Sequence, residues 1–309
     1  MKIKHVNVYD KDPSGEVNNE YKTSENSFRQ PALHRCIGQR TAGKSYLCSK
    51  ILAQCQKEHV FDVIYMVTPS FNSNKAYFGK YIDEDKNVYL PTKESIGQVI
   101  ERVEQDRDDF EQYLVEKEAY DNYKKDLKDK KRVFSDDEVT SFDELGWLDG
   151  VAPTWKYKVV QPPRSLLILD DVLGCPAILQ SSGLSKISIT NRHIAPLKET
   201  FKERSACGLA VMVLAQTYRM QSGVSRLLRE NVSELTLFKN RQEKQMEAVK
   251  EELANVVPVE LFDKAYDYAT KEKFGSLTIS FKPKCPTKTF RRNLNDFIMF
   301  PELPCDCKK

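Results

Sequence analysis

The chain has 309 residues, of which 30% are charged and 40% are hydrophobic, a balance typical of a soluble globular protein. Its 48 basic and 45 acidic side chains leave a formal net charge of only +3. This excludes a protein that coats nucleic acid through a strongly positive overall charge, so any contact with nucleic acid has to be local. No apolar run approaches the roughly 18 residues that suggest a membrane span, and residues 1–10 lack the apolar core of a signal peptide. We therefore expect a protein that is not secreted, and the scattered cysteines favour reduced thiols.

The N-terminal part of the chain passes from a polar segment into a strand, a loop and a helix. Residues 1–31 are mostly polar and show no sustained hydrophobic period, so we expect an irregular N-terminal arm. Residues 32–37 (ALHRCI) form a short apolar run that predicts a strand. Residues 45–57 repeat apolar side chains at helical spacing, which predicts a helix directly after the loop.

The loop between this strand and helix reads GQRTAGKS and satisfies the pattern G-x4-GK[ST] without mismatch. In that pattern, backbone N–H groups wrap a phosphate, the lysine contacts the outer phosphates and the final hydroxyl binds Mg²⁺. The loop also lies at a helix N-terminus, where the helix dipole favours anions. We therefore predict that it binds a nucleoside triphosphate. The predicted binding residues are Gly38, Gln39, Arg40, Thr41, Ala42, Gly43, Lys44 and Ser45.

Later apolar runs predict the rest of a sheet. Strands are expected at 63–70, 165–174, 208–217, 235–240 and 276–282, and helices at 242–255 and 258–272. Near-continuous apolar strands that alternate with helices predict an α/β fold, in which helices flank a mostly parallel sheet. We expect this P-loop domain to span residues 32–282, followed by a basic, cysteine-containing tail at 283–309.

A strongly charged segment interrupts the strand pattern at about 80–160. Residues 96–132 carry an interrupted apolar stripe at helical spacing, and their charge changes from acidic in the first half to basic at the end. That asymmetry suits the helix dipole. We therefore predict a solvated helical insertion, with a protein or DNA contact at its basic end as the alternative.

Carboxylates and an amide follow two of the predicted strands. The run LLILDD delivers Asp170 and Asp171 to the end of a buried strand. We predict that Asp170 holds Mg²⁺ through water and that Asp171 is the general base for the attacking water. The second carboxylate favours hydrolysis over simple switching. Gln216 ends the next strand and is predicted to contact the γ-phosphate or the attacking water.

An arginine between these two strands has two interpretations. Arg192, in the segment SITNRHIAPLK, is either an arginine finger that neutralises transition-state charge across a subunit boundary or an ordinary surface arginine. Arg226 and Arg229, in SRLLREN, are competing candidates for the finger.

The motifs follow one another in the order GQRTAGKS, VIYMVTPSFNSN, LLILDDV, TNRH, VMVLAQTYR and LRENVSELTLF. This series resembles the FtsK/HerA-type genome-packaging ATPases of large eukaryotic DNA viruses, including the poxvirus packaging ATPase, and their relatives in virophages and Polinton-like elements. The similarity spans about 30–75 and 160–245. It implies a RecA-like core of the ASCE type, in which the strand that ends at Gln216 lies between the P-loop strand and the strand that ends at Asp170.

The resemblance also implies what the protein does. A pentameric or hexameric homo-oligomeric ring would hydrolyse ATP, with Mg²⁺, to thread double-stranded DNA into a preformed capsid. The ring would dock on a capsid or portal-like vertex protein, without a membrane partner, in the virion or the host cytoplasm. Lys44, Asp171, Gln216 and Arg192 would be catalytic, and Ser45 and Asp170 would hold the metal. Arg40 departs from the family's small loop residues and has no assigned role.

Two alternatives stay open. A nucleotide or polynucleotide kinase also contains a P-loop, and the charged insertion would then act as a lid. A nucleotide-gated assembly factor would bind ATP without turnover. Stimulation of ATP hydrolysis by long DNA separates the motor from both alternatives.

Overall fold

The computed structural model describes residues 20–21, 23–24, 27–129, 132–198, 204–219, 226–240, 242–254, 257–283 and 285–302. The strands are β1 (Leu33–Ile37), β2 (Val63–Val67), β3 (Val88–Tyr89), β4 (Ser165–Asp170), β5 (Leu209–Ala215), β6 (Glu234–Phe238), β7 (Ser276–Ser280), β8 (Phe290–Arg292) and β9 (Asp296–Ile298). The helices are α1 (Lys44–Lys57), α2 (Phe71–Phe78), α3 (Glu84–Asn87), α4 (Ser95–Asp129), α5 (Asp136–Glu144), α6 (Pro176–Leu179), α7 (Ser182–Thr190), α8 (Arg226–Glu230), α9 (Glu243–Leu253) and α10 (Val259–Ala269). Two short 3₁₀ helices cover Asn191–His193 and Pro286–Lys288.

In the described part of the chain, nine strands form one sheet in the order β3-β2-β4-β5-β1-β6-β7-β8-β9. The six strands from β3 to β6 are parallel, whereas β7, β8 and β9 are antiparallel to their neighbours. The prediction of a mostly parallel α/β sheet is confirmed. The antiparallel part arises because α9 and α10 return the chain to the edge at which β6 ended, so that Phe238 pairs with Ser276.

Strand β5 lies between β1 and β4, as the family resemblance implies. Leu214 is paired with Cys36 of β1 on one side and with Asp170 of β4 on the other. The parallel strands therefore end at one level. This places the glycine-rich loop, Asp171 and Gln216 at the same edge of the sheet, on three adjacent strands.

The central strands are covered on both faces. Every residue of β4 and β5 is buried, which is why these strands read as continuous apolar runs instead of alternating ones. Helix α1 covers one face with Leu47, Cys48, Ile51 and Leu52, all of which are buried. The loop and its helix are thus held rigidly against the sheet.

Helix α4 serves two parts of the molecule. Its first turns place Ile96, Val99 and Val103 in the main core. Its second half leaves that core and contributes Tyr120 and Tyr123 to a separate aromatic cluster, which also contains Trp147, Phe134 and Phe142. With 35 residues, the helix is about 50 Å long. Nevertheless, within the described residues, no helix is both long and apolar enough to span a bilayer.

The cysteines differ in their chemical state. Cys36, Cys48, Cys55 and Cys207 are buried free thiols, as expected. Cys285 is disulfide-bonded, so the expectation of reduced thiols is wrong at this position. Spacing along the sequence does not show which thiols a fold brings together.

Candidate nucleotide-binding site

The glycine-rich loop is built on backbone geometry that requires its two glycines. Gly43 has φ +106°, a conformation that residues with a side chain rarely adopt. A Cβ on Gly38 would lie 2.9 Å from the Phe238 ring and 3.0 Å from the Cβ of Ala42. The Gly38 N–H also donates a hydrogen bond of 3.0 Å to the Ala215 carbonyl, which fastens the loop to the end of β5. The first N–H groups of α1 have no acceptor within the helix, so the loop and α1 together offer donors to an anion.

Lys44 places its ammonium group inside this loop. The side chain is buried, and its Nζ donates hydrogen bonds to the carbonyls of Gly38 (2.8 Å) and Gln39 (3.2 Å). Burial lowers the pKa of Lys44, while Asp171 and Asp170 oppose that shift. Because the acceptors are neutral carbonyls, the positive charge of Lys44 remains available to a phosphate oxygen.

Asp170 is a buried carboxylate oriented by two neighbours. Its Oδ2 accepts hydrogen bonds from Asn74 Nδ2 (2.9 Å) and Thr68 Oγ1 (3.4 Å). Burial raises the pKa of Asp170 to about 6, and the nearby Asp171 adds to this shift. Among the described residues, none donates a hydrogen bond to Oδ1. This oxygen therefore suits a hydrated divalent cation, which prefers oxygen ligands.

Asp171 turns out of the strand and contacts Gln216. Its φ of +52° is left-handed, a conformation that aspartate tolerates better than most residues with a side chain. Its N–H donates to the Leu214 carbonyl (3.2 Å), and its Oδ1 accepts a hydrogen bond from Gln216 Nε2 (3.2 Å). The structure thus brings together the carboxylate and amide that were predicted to handle the attacking water.

The loop and the carboxylates face a common cavity of about 750 Å³. Its described lining consists of Arg40, Thr41, Ala42, Gly43, Lys44, Ser45, Tyr46, Ser70, Ser73, Asn74, Tyr77, Asp170, Asp171 and Phe274. One wall supplies backbone donors and an ammonium group, and another supplies two carboxylates. This arrangement suits a phosphate chain that is bound in the loop and reaches a metal ion at Asp170.

The arginine-finger candidates lie away from this cavity. The carbonyl of Arg192 would be 3.4 Å from a Cβ on Gly208, which precedes β5, and Asn191 Nδ2 donates to the Leu209 carbonyl. Arg192 therefore lies at the opposite edge of the sheet from the loop, roughly 20 Å away along the seven residues of β5. It cannot reach the loop of its own chain. Arg229 pairs with Glu252 at 3.1 Å, and the side chain of Arg226 lies outside the described residues.

Sequence reasoning missed several residues of this site. It gave no role to Thr68, although a polar side chain directly after a strand is a usable signal, or to Asn74, which reaches Asp170 from α2. Phe274 left no such signal. It reaches the cavity only because Phe238 and Ser276 pair in antiparallel register.

No protein-family model matches this chain, and no curated protein sequence matches it. Several solved structures are similar. The genome packaging NTPase B204 from Sulfolobus turreted icosahedral virus 2, in complex with AMPPCP, is 12% identical with a TM-score of 0.42, over 85% of this chain and 96% of that chain. The cytoplasmic domain of the Thermomonospora curvata type VII secretion ATPase EccC is 14% identical with a TM-score of 0.39, over 89% of this chain and 26% of that chain. The pCW3 conjugation coupling protein TcpA, with ATPγS, is 12% identical with a TM-score of 0.35, over 69% of this chain and 51% of that chain.

Proposed function

We propose that this protein is an ATPase whose hydrolysis of ATP drives double-stranded DNA into a viral capsid. The observation that carries the hydrolytic part is the contact between Asp171 and Gln216. Gln216 follows β5, the strand next to the P-loop strand β1, and Asp171 follows β4, on the far side of β5. A carboxylate and an amide beside the phosphates give an attacking water both a base and an orienting group. A protein that only binds nucleotide needs neither.

The residues of the site have separate roles in the proposed hydrolysis of ATP. Residues 38–45 hold the phosphates through backbone N–H groups, and Lys44 neutralises charge on the β- and γ-phosphates. Ser45 and Asp170 would hold Mg²⁺, which when bound neutralises further charge on the phosphate oxygens. Asp171 accepts the proton of the attacking water, and Gln216 orients that water toward the γ-phosphate. The hydrogen bond between the two side chains fixes their relative position.

The motor part of the proposal rests on the order of the motifs. A ring of subunits that bind head to tail places each ATP site near the next subunit. Arg192, which cannot reach its own loop, would then complete a neighbour's site. In this proposal the substrate of the motor is double-stranded DNA, its docking partner is a capsid or portal-like vertex protein, and it works in the virion or the host cytoplasm.

Phosphate release from ATP tests the proposal. We expect wild-type protein to release phosphate faster when long duplex DNA is added, Lys44→Ala to abolish release, and Asp171→Asn to lower it by at least about 100-fold. Asp267→Asn changes an exposed carboxylate on α10 and is the matched control, which should keep wild-type activity. Mass measurement with an ATP analogue and duplex DNA should reveal a closed ring of five or six subunits.

Two results would replace this proposal with another function. Phosphate transfer to a small acceptor, without any effect of DNA, would identify a kinase. Tight ATP binding with no phosphate release at any DNA concentration would identify an assembly factor.

A further inference from the structure

We propose that Phe274 is the platform on which the base of the bound nucleotide stacks, so that the site takes nucleoside triphosphates with weak discrimination between bases such as adenine and guanine. This inference rests on the proposed nucleotide binding by residues 38–45. It assigns a binding role to a side chain in the turn between α10 and β7, far from the other site residues in the sequence.

The sheet order determines where the base must lie. The carboxylates leave β4, which is two strands from β1 on one side, and Phe274 precedes β7, which is two strands from β1 on the other. A triphosphate in the loop with its γ-phosphate toward Asp171 extends its other end away from β4. The ribose and base therefore extend toward β6 and β7. The pairing of Phe238 with Ser276 brings Phe274 to this edge.

Phe274 lies directly against the loop. Its Cβ and Cδ1 are each 3.7 Å from the position that a Cβ on Gly43 would occupy, and the ring lines the same cavity as Lys44 and Asp170. The side chain is 56% exposed, so most of its apolar surface faces water and not the core. Lys273 Nζ lies 5.0 Å from the ring centroid. The exposed part of the ring can still stack against a flat base.

The backbone holds the ring in this exposed position. Phe274 has φ +66°, which is rare for an aromatic residue and carries a conformational cost. Gly275 closes the turn by donating its N–H to the Glu272 carbonyl at 3.0 Å, and a Cβ on Gly275 would lie only 2.4 Å from the Ala269 carbonyl. A strained turn that exposes a large apolar ring costs free energy and buries little apolar surface. Stacking against a base would bury that ring, and the stacking energy would offset the cost of the strained backbone.

The cavity offers little to distinguish one purine from another. Apart from Phe274, its described lining residues belong to the loop and the start of α1, to residues 70–77 after β2, and to the end of β4, so none of them comes from β6 or β7, toward which the base extends. Strong discrimination between bases requires hydrogen-bonding groups at the base edges, whereas stacking accepts any flat base. We therefore expect the affinities for ATP and GTP analogues to agree within about tenfold.

Binding measurements with and without a base test this assignment. The two probes are the non-hydrolysable analogue AMPPNP and inorganic tripolyphosphate, which has no base. Loss of a stacking contact weakens binding by a factor of about 5 to 100. We expect Phe274→Ala to weaken AMPPNP binding by this factor while its tripolyphosphate affinity stays within twofold of wild type. Phe274→Trp should retain wild-type affinity for both probes, and so should Tyr268→Ala, which removes another exposed aromatic (54%) on α10.

The outcomes separate this inference from the proposed function. If Lys44→Ala loses both probes while Phe274→Ala binds AMPPNP as wild type does, the loop binds nucleotide and the platform is refuted. If Phe274→Ala weakens both probes equally, the ring only supports the loop, and the assignment is again wrong. If wild-type protein binds neither probe, nucleotide binding and the platform both fail. A preference for AMPPNP over GMPPNP well beyond tenfold would overturn the predicted lack of discrimination.

Discussion

The side chains of Asp171 and Gln216 are joined by a hydrogen bond of 3.2 Å although they are 45 residues apart in the chain. They meet because β5 pairs directly with β4, with Leu214 beside Asp170, and because the left-handed backbone of Asp171 turns its carboxylate out of the strand. In the proposed mechanism, this bond joins the general base to the group that orients the attacking water.

Loss of this bond should slow hydrolysis more than it weakens nucleotide binding. We expect Gln216→Ala to lower kcat for phosphate release by about 10- to 100-fold with little change in KM, because the amide acts on the attacking water and not on the bound phosphates. Asp171→Asn should cost about 10²- to 10⁴-fold. Since the two side chains act as a unit, the double variant should lose less than the product of the single effects. Independent, multiplicative losses would show that the hydrogen bond has no catalytic role.

The raised pKa of Asp170 predicts a pH dependence of metal-assisted binding. Burial, with a contribution from Asp171, raises this pKa to about 6, so the carboxyl is largely protonated at pH 5 and largely ionised at pH 7. We expect the Mg²⁺-dependent part of AMPPNP affinity to fall by up to about tenfold for each pH unit below 6 and to level off above 7. Asp170→Asn should abolish this dependence, and any slope that it retains belongs to titration of the nucleotide. Identical pH profiles for both proteins would rule out a role for Asp170 in holding the cation.

The packing around Gly38 predicts a defect confined to the loop. A Cβ at this position would lie 2.9 Å from the Phe238 ring, so Gly38→Ala has to displace the loop from its phosphate-binding geometry. We expect nucleotide affinity to fall at least about tenfold while the circular dichroism spectrum stays that of wild type. Gly97→Ala is the matched control, because a Cβ at Gly97 in α4 meets nothing within 4 Å. Unchanged affinity in Gly38→Ala would show that the loop accommodates the methyl group.

A buried ion pair between the starts of two strands should contribute to stability. Asp62 precedes β2 and accepts hydrogen bonds from Arg164, which precedes β4, at Nη2 (3.0 Å) and Nε (3.2 Å). Only 7% of the Asp62 and 6% of the Arg164 side chain is exposed. Asp62→Ala leaves the buried guanidinium without an opposite charge, and we expect the free energy of unfolding to fall by about 3–5 kcal/mol in urea titrations.

An exposed ion pair provides the comparison. Lys117 and Asp121 pair at 2.6 Å on the surface of α4, where water screens the interaction. Asp121→Ala should leave the midpoint of urea unfolding unchanged. Equal midpoints for Asp62→Ala and Asp121→Ala would mean that the buried pair contributes no more to stability than the exposed pair.

Features that depend on a few neighbouring residues could be predicted from the sequence. The loop pattern needs eight consecutive residues, and the helix that follows needs only apolar side chains at helical spacing, so residues 45–57 were assigned correctly within one residue of α1. The apolar runs at 165–174 and 208–217 predicted β4 and β5, because strands covered on both faces carry continuous apolar sequence. The strands themselves end earlier, at Asp170 and Ala215. Asp170, Asp171 and Gln216 were found as the polar residues at the ends of these strands.

The tertiary structure decided which distant residues meet. Hydrogen bonds between strands join segments far apart in the chain, and local sequence does not encode their partners. This is why only the structure brings Phe274 to the glycine-rich loop, through the antiparallel pairing of β6 and β7, and why it puts Arg192 at the opposite edge of the sheet. By itself, the sequence determined a glycine-rich loop between a strand and a helix, and a buried sheet. The order and direction of the strands determined which side chains surround that loop.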